Sequence, residues 1–266
     1  MRGFSPKFGT INLVKSLKLS GILETLESRL KQARDATMSY EELLTILFQD
    51  ELESLEKQAL KRRIDHAKFE ELKTFESFDI QRYSLNVKHA INDLMTGKFI
   101  KEKNHIIIMG PVGTGKTHLS QALGMLACQK NQKVKFVATN ELINEFYRAR
   151  ADETHDKLFK YYSKFDLLIL DDFGLKPLSA EQSSDLYDLI ALTHIKSSLI
   201  ITTNRKIEKW IELFYDPVMA NAALDRIVNK AYRVVLEGES YRKNFTPKFK
   251  VEDNKKWKMI NVSGPF

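Results

Sequence analysis

The sequence predicts an α/β fold: a parallel sheet covered by helices on both faces, with a helical segment ahead of it. Three observations carry this. Ile106, Ile107 and Ile108 form a β-branched run of strand length, followed at once by a glycine-rich loop and then by Leu119, Ala122, Leu123, Leu126 and Ala127 at helical spacing. From there to residue 236, apolar segments of strand length alternate with segments of helical period, the pattern of βαβ units. Residues 167–170, all Leu or Ile, are wholly apolar, as the middle of a sheet buried on both faces requires.

Taken in order, residues 1–10 read as a loose arm. Ile22, Leu23, Leu26 and Leu30 recur at helical spacing after Gly21. Ser39 and Glu42 form a capping-box pattern, and Leu44, Leu47, Phe48, Leu52, Leu55, Ala59 and Ile64 mark one face of the long helix it starts. That helix ends in Lys57, Lys61, Arg62, Arg63 and Lys68. These are either a solvated face favoured at a helix C-terminus or contacts to DNA phosphates. Residues 69–80 break the period as a linker; Phe75, Phe78 and Ile80 within it pack against the next domain or line an adenine pocket, packing being the expectation. A helix over 85–94 ends at Gly97, and 98–104 lead into the first strand. Strands follow at 134–138, 167–170, 199–203 and 232–236. Helices are expected over 141–149, 154–163, 180–194, 206–214 and 219–230. The resulting division is a helical N-terminal domain over 1–70, a catalytic domain over 71–245 and a tail over 246–266. No repeat of 20–50 residues is present.

Composition narrows the class. At 266 residues and 43% hydrophobic, the chain can bury an ordinary core. It lacks an apolar leader and any run long enough to span a membrane, so a cytoplasmic protein with no membrane contact is expected. One cysteine, Cys128, excludes an intrachain disulfide; its place on an apolar helix face predicts burial. No spacing of His, Cys, Asp or Glu suggests zinc. A net charge of +7 is compatible with nucleic acid without establishing it.

The chemistry centres on GPVGTGKT, residues 110–117, which fits G-x-x-x-x-G-K-[ST] at every fixed position. Glycines let successive N–H groups turn inward around a phosphate chain, and the following helix N-terminus adds partial positive charge. Gly110, Pro111, Val112, Gly113, Thr114, Gly115, Lys116, Thr117 and the adjoining His118 are therefore the candidate ATP contacts, with Lys116 reaching the β- and γ-phosphates and the Thr117 hydroxyl coordinating Mg²⁺. Asp171 and Asp172 end an apolar strand, where a parallel sheet presents its ligands. Asp171 is expected to hold Mg²⁺, and Asp172 to orient or deprotonate the attacking water. Asn204, closing the next strand, could bond that water or the γ-phosphate. Arg226 and Arg242 are cations able to stabilise transferred phosphoryl charge, though either alone reads as a surface arginine.

In this order, GPVGTGKT, LLILDD, IITTN, LDRI and GESYRK resemble Walker A, Walker B, sensor 1, the arginine-finger box and sensor 2 of AAA+ ATPases. More narrowly, LKLSGILETLESRL, SYEELLTILFQDELE, the basic helix end, FESFDI, GPVGTGKTHLSQALG, LLILDDFG and GESYRK resemble the IstB-like transposition helper ATPases of bacterial insertion sequences, over nearly the whole length. The resemblance implies a DNA-binding helical domain and an ATP-driven homo-oligomer on double-stranded DNA, with a partner transposase. DnaC-type helicase loaders share this ATPase core, so a loader acting on a replicative helicase is the alternative. A small-molecule P-loop kinase and an adaptor with negligible hydrolysis are further classes. By the same mapping Lys116, Thr117, Asp171, Asp172, Asn204 and Arg242 act in cis, and Arg226 reaches a neighbour's nucleotide. Two departures stand out. Asp172 replaces the Glu of many AAA+ proteins, although Asp-Asp is usual for the IstB-like group. Few residues follow Arg242, so the usual helical lid is expected to be reduced or absent.

Overall fold

The computed structural model describes residues 9–241. Three helices come first: α1 (Thr10–Ser16), α2 (Ser20–Asp35) and α3 (Tyr40–Ala67). The first has no clear periodic signal in the sequence. The Ser39–Glu42 capping box opens α3, and Lys68 closes it in the left-handed conformation. Helices α2 and α3 touch backbone to backbone at Gly21, where a Cβ would lie 2.4 Å from the Asp50 carbonyl oxygen. There the buried Glu51 accepts a hydrogen bond from the Ile22 N–H, capping a helix that has no side-chain cap of its own. Arg29 forks onto Asp50 with two 2.8 Å bonds.

The apolar face expected on α3 needs correcting. Leu47 turns inward, but Leu44, Phe48, Leu52 and Leu55 stay exposed. The helix has two partners on different sides. Its first half lies against α2, with Leu43 and Leu47 inward. Its last turns carry Leu60, Ile64 and Ala67 into the core of the α/β unit. A single stripe cannot serve both.

The α/β unit runs α4 (Leu85–Met95), α5 (Lys98–Lys101), β1 (His105–Met109), α6 (Lys116–Gln129), β2 (Val134–Ala138), α7 (Thr139–Ala151), α8 (His155–Tyr162), β3 (Leu167–Asp171), α9 (Ala180–Lys196), β4 (Ser198–Thr203), α10 (Pro217–Val228) and β5 (Ala231–Val235). The five strands are parallel in the order β2-β3-β4-β1-β5. Alternation along the strands divides the interior into two faces. Ile106, Ile108, Ile169 and Ile200 pack with α3, α4 and α6 on one; Ile107, Leu168, Leu170 and Ile201 pack with α7, α9 and α10 on the other.

The helix expected over 206–214 is instead two short 3₁₀ turns, Ile207–Lys209 and Ile211–Leu213. Between them Trp210 is fully buried against Phe173, and docking that ring outweighs continuing a helix. Residues 98–101, expected as a connector, form α5. Cys128 is buried, which pushes its thiol up to about 11. No described helix is long and apolar enough to cross a membrane, and the described residues hold no metal-binding cluster of three or more His, Cys, Asp or Glu.

Candidate functional site

The glycine-rich loop leaves β1 and turns into α6 beneath a cover of other chain segments. Gly113 and Gly115 have φ of +81° and +90°, a region that favours glycine. A Cβ at Gly113 would meet Ser240 Oγ at 2.0 Å, and one at Gly115 would meet the Tyr83 hydroxyl at 2.8 Å. The Pro111 carbonyl braces the loop from inside, accepting from Thr114 Oγ1 at 2.8 Å and from Lys116 Nζ at 2.9 Å. The Tyr83 hydroxyl donates to the Thr114 carbonyl at 2.7 Å. The start of α6, Lys116, Thr117 and His118, lines the space above the loop, where a helix N-terminus carries partial positive charge.

Opposite lies the end of β3. Asp171 is 4% exposed, and both its oxygens are engaged: Thr117 Oγ1 donates to Oδ2 at 2.8 Å and Thr202 Oγ1 to Oδ1 at 2.6 Å. Burial pushes its carboxyl above the usual value, and those two hydrogen bonds oppose the shift. Asp172 differs in every respect. It is exposed and sits at φ +52°, a left-handed backbone costing on the order of 1 kcal/mol for such a residue. Its N–H donates to Thr202 Oγ1 at 2.9 Å. Thr202 thus ties the two aspartates together. β3 and β4 pair with Leu170 beside Ile201, which brings Thr202 level with Asp171.

Between loop and strand end is a cavity of about 430 Å³. Val112, Gly113, Gly115, Lys116, Thr117 and His118 line it, as do Asp171, Asp172 and Asn204. Gly110, Pro111 and Thr114 are not among the lining residues; Thr114 is buried and Pro111 is exposed. Residues 70–83 form the third wall, which holds Phe78, Asp79, Arg82 and Tyr83. Phe78 stacks on Tyr83 with centroids 5.5 Å apart, so this linker residue both packs and faces the cavity. Arg82 lies over the rings of Tyr83 and Tyr241 and donates to the Glu239 carbonyl at 2.6 Å. His118 bonds to the Thr74 carbonyl and Ser77 Oγ, each at 3.1 Å, so its ring fastens the linker to α6. Burial keeps its pKa below the usual histidine value. Glu70 also faces the cavity, its carboxyl raised by burial and by Asp171 and Asp172.

Arg226 is not among the lining residues. It sits on α10 with its guanidinium 4.8 Å from the Tyr187 ring centroid, and Nη1 is buried with no acceptor among the described residues. Arg242 lies outside the described residues, as does the 246–266 tail. Thr202, Tyr83 and Arg82 belong to the site although Tyr83 and Arg82 lie in no motif and Thr202, within IITTN, is not the residue singled out there. They leave little trace: β4 carries three hydroxyl residues, Ser198, Thr202 and Thr203, with nothing to single out the middle one, and Tyr83 simply follows the linker.

Comparison with known proteins accords with this geometry. The family model described as IstB-like ATP binding protein matches residues 12–248. An insertion-sequence ATP-binding protein of Mycobacterium tuberculosis is 36% identical over 237 residues, 89% of this chain and 94% of that one. The insertion sequence IS21 ATP-binding protein of Pseudomonas aeruginosa is 30% identical, covering 86% and 87%. Among solved structures, the DnaC helicase loader matches with a TM-score of 0.51 at 20% identity, over 66% of this chain and 99% of that one. AMPPCP-bound DnaA from Aquifex aeolicus matches with a TM-score of 0.54 at 21% identity, over 64% and 51%. These two likenesses concern the fold.

Proposed function

This chain belongs to the IstB-like ATP binding proteins and has their AAA+ P-loop fold, and from that premise we propose that it is an ATPase that assembles on double-stranded DNA and assists the transposase of an insertion sequence. The observation that supports this best is Asp171, held between Thr117 and Thr202 across the cavity from the phosphate loop. ATP would lay its phosphates along the loop and the start of α6, with Lys116 matching their charge. Its base would lie toward Phe78, Tyr83 and Tyr241, whose aromatic rings line the cavity.

Mg²⁺ fits the remaining donors. A hydroxyl and a carboxylate already converge 2.8 Å apart at the loop, the oxygen chemistry this ion takes. Thr117 and Asp171 would hold it, and it would supply neutralising charge to the β- and γ-oxygens. Asp172, exposed beside them, is the residue free to align and deprotonate water; Asn204 would help position it. Arg226 would act on a neighbouring subunit's nucleotide. The helicase-loader alternative rests on fold likeness at 20% identity, whereas the insertion-sequence relatives match at 30% identity or more over most of both chains.

The test is phosphate release and duplex binding by the purified chain. Mg²⁺-dependent hydrolysis, with duplex binding that requires ATP and falls steeply with salt, is expected. Lys116→Ala should lose both. Tight ATP binding without any affinity for duplex at low salt would overturn the DNA half of the proposal. Co-purification with a replicative helicase rather than with a transposase would decide for a loader.

A further inference from the structure

Glu70 faces the cavity from the linker, although nothing in the sequence singles it out. Two anchors on α6 hold it there. On one side Phe69 packs against the helix at Gly124, where a Cβ would lie 2.7 Å from its ring, and its centroid is 6.3 Å from that of Phe136. On the other side the Glu71 N–H donates to Oε1 of the buried Gln121 at 3.2 Å. Gln121 and Gly124 stand one turn apart on α6, so the backbone between Phe69 and Glu71 is fixed along the helix. The side chain it delivers is directed at the end of β3. Repulsion from Asp171 and Asp172 raises the Glu70 carboxyl more than repulsion from its own chain neighbour Glu71 does.

Five carboxylates line the cavity, Glu70, Glu71, Asp79, Asp171 and Asp172, and three of them are engaged. Asp171 takes two threonine hydroxyls, Asp79 accepts from the Gln81 N–H at 3.1 Å, and Glu71 pairs with Lys73. Asp172 and Glu70 are the two whose carboxylate oxygens have no partner among the described residues. Two like charges facing one space are unfavourable unless a ligand uses both. A water attacking a γ-phosphate does so. One of its lone pairs meets phosphorus and the other suits the Asn204 amide. Its two O–H bonds then need an acceptor each.

We propose that Glu70 is a further catalytic residue of ATP hydrolysis, sharing the attacking water with Asp172. The inference rests on the ATPase reading above. In the step, the water oxygen bonds to the γ-phosphorus, and the bond from that phosphorus to the oxygen bridging to the β-phosphate breaks, its electron pair leaving with ADP. One water proton passes to Asp172 and from there to solvent. The other stays on the new phosphate oxygen, held toward Glu70. Two acceptors fix the orientation of the water; with one of them gone it is free to turn.

Nucleotide titration and single-turnover hydrolysis of the full chain with Mg²⁺ test this, using Glu70→Gln beside Asp172→Asn. The amide removes a charge that repels the phosphates, so ATP should bind about two- to threefold more tightly. It is also the weaker acceptor, so turnover should fall about tenfold or more. A residue that only shapes the linker would not move affinity and turnover in opposite directions. Glu70→Asp keeps the charge and loses the reach, so its affinity should equal that of wild type while its turnover falls. The double variant of Glu70→Gln with Asp172→Asn should be little slower than Asp172→Asn alone, because both groups serve one water. Undiminished turnover in Glu70→Gln, weakened ATP binding, or a double variant slowed by the full product of the single effects would overturn the assignment and leave the ATPase reading standing. A wild type that binds ATP and releases no phosphate would overturn both.

Discussion

Asp171 and Asp172 are neighbours with opposite surroundings, and that contrast assigns their roles. The first is buried, fixed by two hydroxyls and level with the loop; the second is exposed, with its carboxylate in the cavity and its backbone in the left-handed region. A group already fixed suits holding an ion, and one with access to solvent suits handling water. Asp172→Asn should therefore keep Mg²⁺·ATP affinity within about twofold while slowing turnover roughly 10²-fold or more. Asp171→Asn should weaken binding itself. Nucleotide titration alongside single-turnover hydrolysis separates the two, and the opposite pattern would exchange the assignments. At this scale the fixed motif positions are legible in the sequence, because spacing alone determines where G-x-x-x-x-G-K-T and a strand-end Asp-Asp lie. Thr202 is not. Its contact with Asp171 depends on the register of two strands about thirty residues apart, and nothing local in a strand that ends Thr-Thr-Asn encodes that. His118 shows a second role that adjacency to the motif does not reveal: it lines the cavity, and its ring also bonds to Thr74 and Ser77 of the linker.

Among the elements, α3 is the one whose meaning changes most between sequence and structure. Its start is legible because a capping box is a local signal, and the α9 start, Ser179 with Gln182, uses the same device. Its burial is not legible, because a stripe in the sequence does not say which side a partner occupies. Nor does the basic end form one surface. Arg63 turns inward and donates Nε to the Cys128 carbonyl at 2.9 Å, whereas Lys57, Lys61 and Lys68 are exposed. Deleting residues 1–68 would thus remove Arg63, Ile64 and Ala67 from the α/β core and test stability more than DNA binding. Replacing Lys57, Lys61 and Lys68 together by alanine leaves that packing alone. If these lysines meet phosphates, duplex affinity should fall for all sequences alike, and the slope of log K against log salt should drop by about one for each lysine that had met a phosphate. Filter binding across a salt series measures both; an unchanged slope would move the DNA surface off this helix.

At the scale of the whole molecule, the sheet that carries the site also sets the stability. His105 on β1 is fully buried, with Nδ1 accepting from the Leu199 N–H of β4 at 3.1 Å and Nε2 unpaired among the described residues. Burial, reinforced by His194 and Lys230, holds its pKa at about 4, against an ordinary 6.5. The unfolded chain therefore takes up this proton first. The stability involved is fully present above about pH 6.5 and declines as pH falls from there toward 4, by about 3 kcal/mol in all. Urea unfolding at about pH 7.5 and pH 4.5 should show the decline, and His105→Leu should flatten it. The assembly proposed above also belongs to this scale. The Arg226 guanidinium lies over Tyr187, outside its own chain's cavity, with one nitrogen lacking an acceptor among the described residues. A cation half-withdrawn from solvent and serving no site of its own chain is suited to complete a site on another, where an arginine at the γ-phosphate is worth roughly 10³ or more in rate. Arg226→Ala should then bind ATP as a monomer nearly as tightly as wild type, yet lose hydrolysis and nucleotide-driven assembly on DNA. Mixing it with Lys116→Ala should restore part of the activity, because each variant supplies the half-site the other lacks. An arginine that merely braces Tyr187 would give no such rescue, and a wild type whose sedimentation on DNA is unmoved by ATP would leave Arg226 a packing residue.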